Sequence, residues 1–110
     1  MTQLAKNFKT HNDNIDWEGG SLQGYIDASY KDLKKVFGEP SEDFDNYKCD
    51  AEWNVKFDDG TYATIYNYKD GKNYCGKDGI PKTKIRDWHI GGSGGQKAIN
   101  LIEQAIKNFA

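Results

Sequence analysis

CDAEWNVKFDDGTYATIYNY, residues 49–68, consists of two alternating runs rich in β-branched and aromatic side chains, interrupted only by Asp58, Asp59 and Gly60. The pattern predicts a β-hairpin. Two turns compete for it. A two-residue Asp59-Gly60 loop pairs Phe57 with Tyr62, whereas a three-residue loop with Gly60 in the left-handed region pairs Phe57 with Thr61. The register matters because a slip of one residue exchanges the two faces of a strand. The three-residue loop gathers Trp53, Val55, Phe57, Ala63 and Ile65 on one side. It leaves Glu52, Asn54, Lys56, Tyr62, Thr64, Tyr66 and Tyr68 on the other. That split separates core from solvent more cleanly, and it is the register we expect.

Working outward, Ser29 precedes Asp32 by three residues, a capping-box variant that opens a short helix. Leu33, Val36 and Phe37 form its apolar stripe, and Gly38 with Pro40 stops it. Residues 22–28 read as a strand with Leu22, Tyr25 and Ile26 as apolar members. Residues 69–84 hold several lysines and glycines and predict a long surface loop. Residues 85–90 resume an alternating pattern, with Trp88 and Ile90 to one side and Asp87 and His89 to the other. Gly91 and Gly92 are expected to end that strand. Ser93 and Gln96 match a second capping box, and the helix beyond carries a broad stripe of Ala98, Ile99, Leu101, Ile102, Ala105, Ile106 and Phe109. Residues 1–20 are polar and turn-rich and read as a weakly structured arm anchored by Ile15 and Trp17, leaving 21–110 as a single domain. The expected class is α+β: an antiparallel sheet of three to five strands with two helices on one face, in the order β-α-β-β-β-α, with room for one more strand in the loop or the arm.

A chain of 110 residues with 36% hydrophobic and 29% charged content builds one modest core. Fifteen basic and seventeen acidic side chains give a net charge of −2, and Arg86 is the one arginine. That balance argues against a protein built to grip nucleic-acid backbone. No run approaches the roughly 20 apolar residues of a membrane helix, and residues 1–11 lack a secretory apolar core, so a cytoplasmic protein with no membrane contact is expected. Cys49 and Cys75 form no CxxC pair.

Chemistry-bearing motifs are few. Residues 91–95, GGSGG, stand before a helix, and the amides of Gly92, Ser93, Gly94 and Gly95 offer a candidate anion site for a nucleotide or phosphorylated metabolite. They match neither the P-loop nor the dinucleotide fingerprint. Asp87, His89 and Ser93 contain the elements of a hydrolytic set without the geometry that would define one. His11 and His89 lack metal-ligand spacing, and neither cofactor nor metal is expected. The tyrosine side of the hairpin remains. Tyr62, Tyr66 and Tyr68, with Lys56 and with Trp88 as a secondary choice, form a candidate partner-binding surface, since tyrosine and tryptophan supply large contact area with few rotatable bonds. Self-association into a homodimer is a competing use of that side.

The run ATIYNYKDGKNY, the later DWHIGG, the earlier DLKKVFGEP and the final helix together resemble a set of small orphan proteins encoded by bacteriophages and mobile elements. The resemblance covers most of the chain after about residue 20. It implies little chemistry of its own; by analogy with small phage proteins that act stoichiometrically on host machinery, restriction and CRISPR systems included, the expected function is a non-enzymatic binding module that inhibits or modulates a host protein complex.

Overall fold

A computed structural model describes residues 6–13, 15, 20–41 and 48–110. The protein is α+β, with an antiparallel sheet of five strands: β1 (Phe8–Thr10), β2 (Ser21–Asp27), β3 (Glu52–Phe57), β4 (Tyr62–Tyr66) and β5 (Asp87–Gly92). Among the described residues three α-helices accompany it: α1 (Tyr30–Phe37), α2 (Lys72–Cys75) and α3 (Gln96–Phe109). The spatial order β1-β3-β4-β5-β2 puts β1 and β2 on opposite edges. Two elements depart from the expected order. β1 falls within the segment read as a weakly structured arm, and α2 within the segment read as a loop. No helix among the described residues is long and apolar enough to cross a membrane.

The hairpin adopts the bulged register. Phe57 N–H donates to Thr61 O at 2.8 Å, Val55 pairs with Ala63 and Trp53 with Ile65. Gly60 has φ 92°, a value few residues other than glycine tolerate, which is why the turn carries glycine there. Trp53, Val55, Phe57, Ala63, Ile65, Trp88 and Ile90 consequently pack into one core with Leu33, Val36 and Phe37 of α1 and Ala98, Ile99, Ile102 and Ala105 of α3. Each fully buried aliphatic side chain contributes about 1.5–3 kcal/mol relative to exposure. Trp53 and Trp88 meet edge to face at 5.5 Å, and their indole N–H groups donate to Gly38 O and Ala28 O.

The cap on α1 forms as its sequence predicts, with Asp32 N–H donating to Ser29 Oγ at 3.1 Å. The second capping box does not form. Gly95, not Ser93, caps α3 at φ 57°, and its N–H donates to Gln23 Oε1 at 2.8 Å. Gly91 and Gly92 do not end β5 but pair on both flanks, with Leu22 and Ser21 of β2 and with Thr64 and Ala63 of β4. Opposite them β2 is irregular between Leu22 and Gly24. There Ile99 of α3 lies against the backbone so closely that a Cβ on Gly24 would collide with its Cδ1. Ile26 alone of the three apolar β2 positions is buried; Leu22 and Tyr25 are 48% and 57% exposed.

Candidate recognition surface

The face of the sheet turned away from the core carries a row of side chains across four strands. Tyr25 of β2 stands opposite His89 of β5, His89 opposite Tyr66 of β4, and Tyr66 opposite Glu52 of β3. Strand alternation puts these residues on one side, and strand order makes them neighbours. Tyr25 meets the imidazole edge to face at 4.8 Å, and the rings of Tyr66 and Tyr68 lie 5.4 and 5.6 Å from it. Three phenols thus surround His89. Its Nδ1 is buried and has no hydrogen-bond partner among the described residues. A buried polar atom left unpaired costs about 1–3 kcal/mol.

The row differs in exposure from one end to the other. Tyr66 is half-buried, and its phenol is held above its ordinary pKa, first by burial and then by the nearby Cys49 and Glu52. It stays neutral through the physiological range. Tyr25 and Tyr68 are exposed. Asp27 and Asp87 face each other across β2 and β5 at one flank, where Arg86 Nε donates to Asp27 at 3.0 Å. Arg86 offsets part of the repulsion between the two carboxylates.

Beyond Tyr68 the chain bends through Lys69, the one described residue other than glycine with positive φ, at 60°. This conformation costs roughly 1–2 kcal/mol for an L-residue. It is held by main-chain bonds: Lys69 N–H donates to Lys48 O at 2.8 Å, and Cys75 Sγ donates to Lys69 O at 3.2 Å. The ammonium is thereby set over two rings, Tyr68 and Tyr74, at 5.2 Å from each. Such a contact is worth about 0.5–1 kcal/mol at an exposed site. Tyr74 is 41% exposed, so the aromatic surface continues from Tyr25 through Tyr68 to Tyr74 with a cation between the last two.

Asn67 holds this bend to the sheet. Its side chain is fully buried, its Oδ1 accepts from the amides of Asp50 and Ala51, and its Nδ2 donates to the carboxylates of Asp50 and Asp70. Asp50 also accepts from Asn73 N–H at 3.2 Å, and Ile80 N–H donates to Asp70 O at 2.9 Å. The lysine-rich loop is therefore a built element that leaves the sheet in a defined direction. Composition predicted a loop here; the buried asparagine that organises it gave no periodic signal.

The sequence-predicted site residues divide between surface and interior. Tyr66 and Tyr68 are in the cluster. Tyr62 lies on the expected side of the sheet but is 1% exposed, and its OH donates to Asn54 Oδ1 at 2.7 Å within a buried patch shared with Thr64. It is no contact residue. Trp88 is fully buried in the core, because alternation turns it away from the side that presents His89. Lys56 is half-buried, opposite Lys9 of β1 and four residue pairs along the hairpin from the Glu52–Tyr66 pair of the tyrosine row. Tyr25, Tyr74 and His89 were not predicted as contacts, since their proximity depends on β2 pairing with β5 and on the fold of the loop.

The anion site is not supported by the geometry of residues 91–95. Ser93 N–H donates to Tyr62 O at 3.1 Å, Gly95 N–H donates to Gln23, and Gly92 lies within a strand paired on both sides. Of the four candidate amides, those of Ser93 and Gly95 are thus spent on hydrogen bonds within the fold. Asp87, His89 and Ser93 share no hydrogen bond among the described residues, and His89 is flanked by rings instead of by a carboxylate. His11 binds Asn54 N–H through Nδ1 and Glu39 O through Nε2, joining the end of β1 to the end of α1. Trp17, expected to anchor the arm, lies outside the described residues. The chain matches no protein-family model and no curated protein.

Proposed function

We propose that this chain is a non-enzymatic binding module that captures a protein partner on the outer face of its sheet. Tyr25, Tyr68 and Tyr74 supply contact area, the His89 ring backs them, and Lys69 adds a cation held above two of the rings. The observation that carries this reading is the exposure of Tyr25 and Tyr68 on opposite sides of one imidazole, anchored to strands and to a hydrogen-bonded loop. Rigid aromatic side chains with polar tips bind at low entropic cost, and they recur among the residues that dominate interface energetics. The unpaired Nδ1 of His89 adds support, because packing alone leaves its desolvation cost unrepaid. The likeness of the hairpin, the DWHIGG strand and the final helix to small phage and mobile-element proteins favours a host protein complex in the cytoplasm as the partner. Inhibition of that complex is then the effect.

Affinity capture from bacterial lysate with the wild-type protein and with a Tyr25→Ala/Tyr68→Ala variant tests the assignment. Both residues are exposed, so the variant should keep its melting temperature within a few degrees while losing the specifically captured protein. Equal capture by both forms removes the aromatic face from the function. Size exclusion of the two forms shows whether the same face joins copies of the chain.

A further inference from the structure

On the edge of the sheet formed by β1, a cleft of about 370 Å³ opens between that strand and the end of α1. Phe8, Val36 and Phe37 provide its apolar wall, and Lys6, Lys9 and Lys35 stand around it. Lys9 and Lys35 form no ion pair among the described residues, and Lys6 lies over the rings of Phe8 and Phe109 at 5.9 Å. The carboxylate at the rim, Asp13, already accepts from Thr10 N–H at 2.9 Å. A molecule with net charge −2 thus keeps a concentration of unpaired positive charge at one edge.

The backbone at the same place is unsatisfied in a directional way. Asp58 N–H donates to Asn7 O at 2.8 Å, and β1 runs antiparallel to β3 with Lys9 opposite Lys56. In such a ladder alternate residues direct both main-chain groups to the neighbour. Asn7 and Lys9 therefore face β3, and Phe8 turns its N–H and C=O outward. Neither group has a partner among the described residues. Phe8 thus offers one donor and one acceptor to an added chain, on an edge that is short and flanked by lysines and so selects against strands that are not acidic.

We infer that this cleft receives an extended acidic segment of a partner protein, added beside β1 as a sixth strand and paired to the main chain of Phe8. Alternation in the incoming strand sends one set of its side chains toward Lys6 and Lys35 on the helix side and the other toward Lys9 on the outer side. Acidic residues in both sets are then matched. This surface is separate from the tyrosine face and stands or falls independently of it.

The test uses a fluorescein-labelled short peptide alternating glutamate with valine, and the same peptide with lysine in place of glutamate. The expected result is saturable binding of the acidic peptide at low ionic strength, weakening as salt is raised. A Lys9→Glu/Lys35→Glu variant should bind about tenfold more weakly, as expected when two flanking charges are reversed, and Lys31→Glu should leave affinity unchanged. Amide exchange on the wild-type protein supplies a readout that needs no variant: Phe8 N–H should gain protection when the acidic peptide is bound. Equal binding of the lysine peptide, unchanged affinity in the double variant, or no added protection at Phe8 overturns the proposal. Full competition by free glutarate makes the cleft a small-anion site and overturns the added-strand mode.

Discussion

At the scale of single residues, the decisive side chain is Asn67, which no catalytic or binding motif marks. All of its hydrogen-bonding capacity is used internally, and it joins the start of β3, the end of β4 and the loop that carries Lys69 and Tyr74. Replacement by alanine takes the acceptor from the Asp50 and Ala51 amides and one donor each from the Asp50 and Asp70 carboxylates. Asn67→Ala should therefore destabilise the protein by about 2–4 kcal/mol, measured as a shift in urea midpoint. Amide exchange should quicken first at Ile80, whose N–H is bonded to Asp70 O. At this scale the sequence is legible where the chemistry is local. Ser29 caps α1 because its hydroxyl reaches an amide three residues on. Ser93 has the same spacing to Gln96 and does not cap, because Gly91 and Gly92 extend β5 and Gly95 takes the left-handed position. Tyr62 was assigned to the surface by the hairpin register and Trp88 by residue type, and whether such a ring is covered depends on what packs over it.

Among elements, the hairpin was readable because the competing turns predict opposite faces, and only the bulged one collects the apolar positions. β1 was not readable, because three residues gain strand character only by pairing with β3. Nor was the Tyr25–His89–Tyr66 row, which exists only once β2 and β4 flank β5. The hairpin turn is also tied to α3: Lys97 Nζ lies 2.8 Å from Asp59 Oδ2. The hydrogen bond from Lys97, followed by that from the Thr61 amide, holds the Asp59 carboxyl at about 2 against an ordinary 3.8. A depressed carboxylate stabilises the fold above its unfolded value and loses that contribution as pH falls through the folded one. Melting temperature should accordingly fall between about pH 4 and pH 2, and Asp59→Asn should flatten that part of the profile while leaving the slope above pH 5 unchanged.

Across the whole molecule, the order β1-β3-β4-β5-β2 buries the hairpin and β5 between two edges of unequal strength. β2 has seven residues and rests on α3, whereas β1 has three. Native-state amide exchange should rank accordingly. Val55 and Ala63, bonded to each other between interior strands, should exchange slowest, and Lys9 at least about a hundredfold faster through local opening. Equal rates would mean that β1 opens only with the entire sheet. The same order has a consequence for synthesis. β1 and β2 are both synthesised before their partners and have no ladder to form with each other, since the first waits for residues 52–57 and the second for residues 87–92. Translation must therefore reach residues 87–92 before the β2 rim can close, well after β1 has its partner, and any growing polypeptide that stalls between the two presents an unmated β2 to whatever lies nearby.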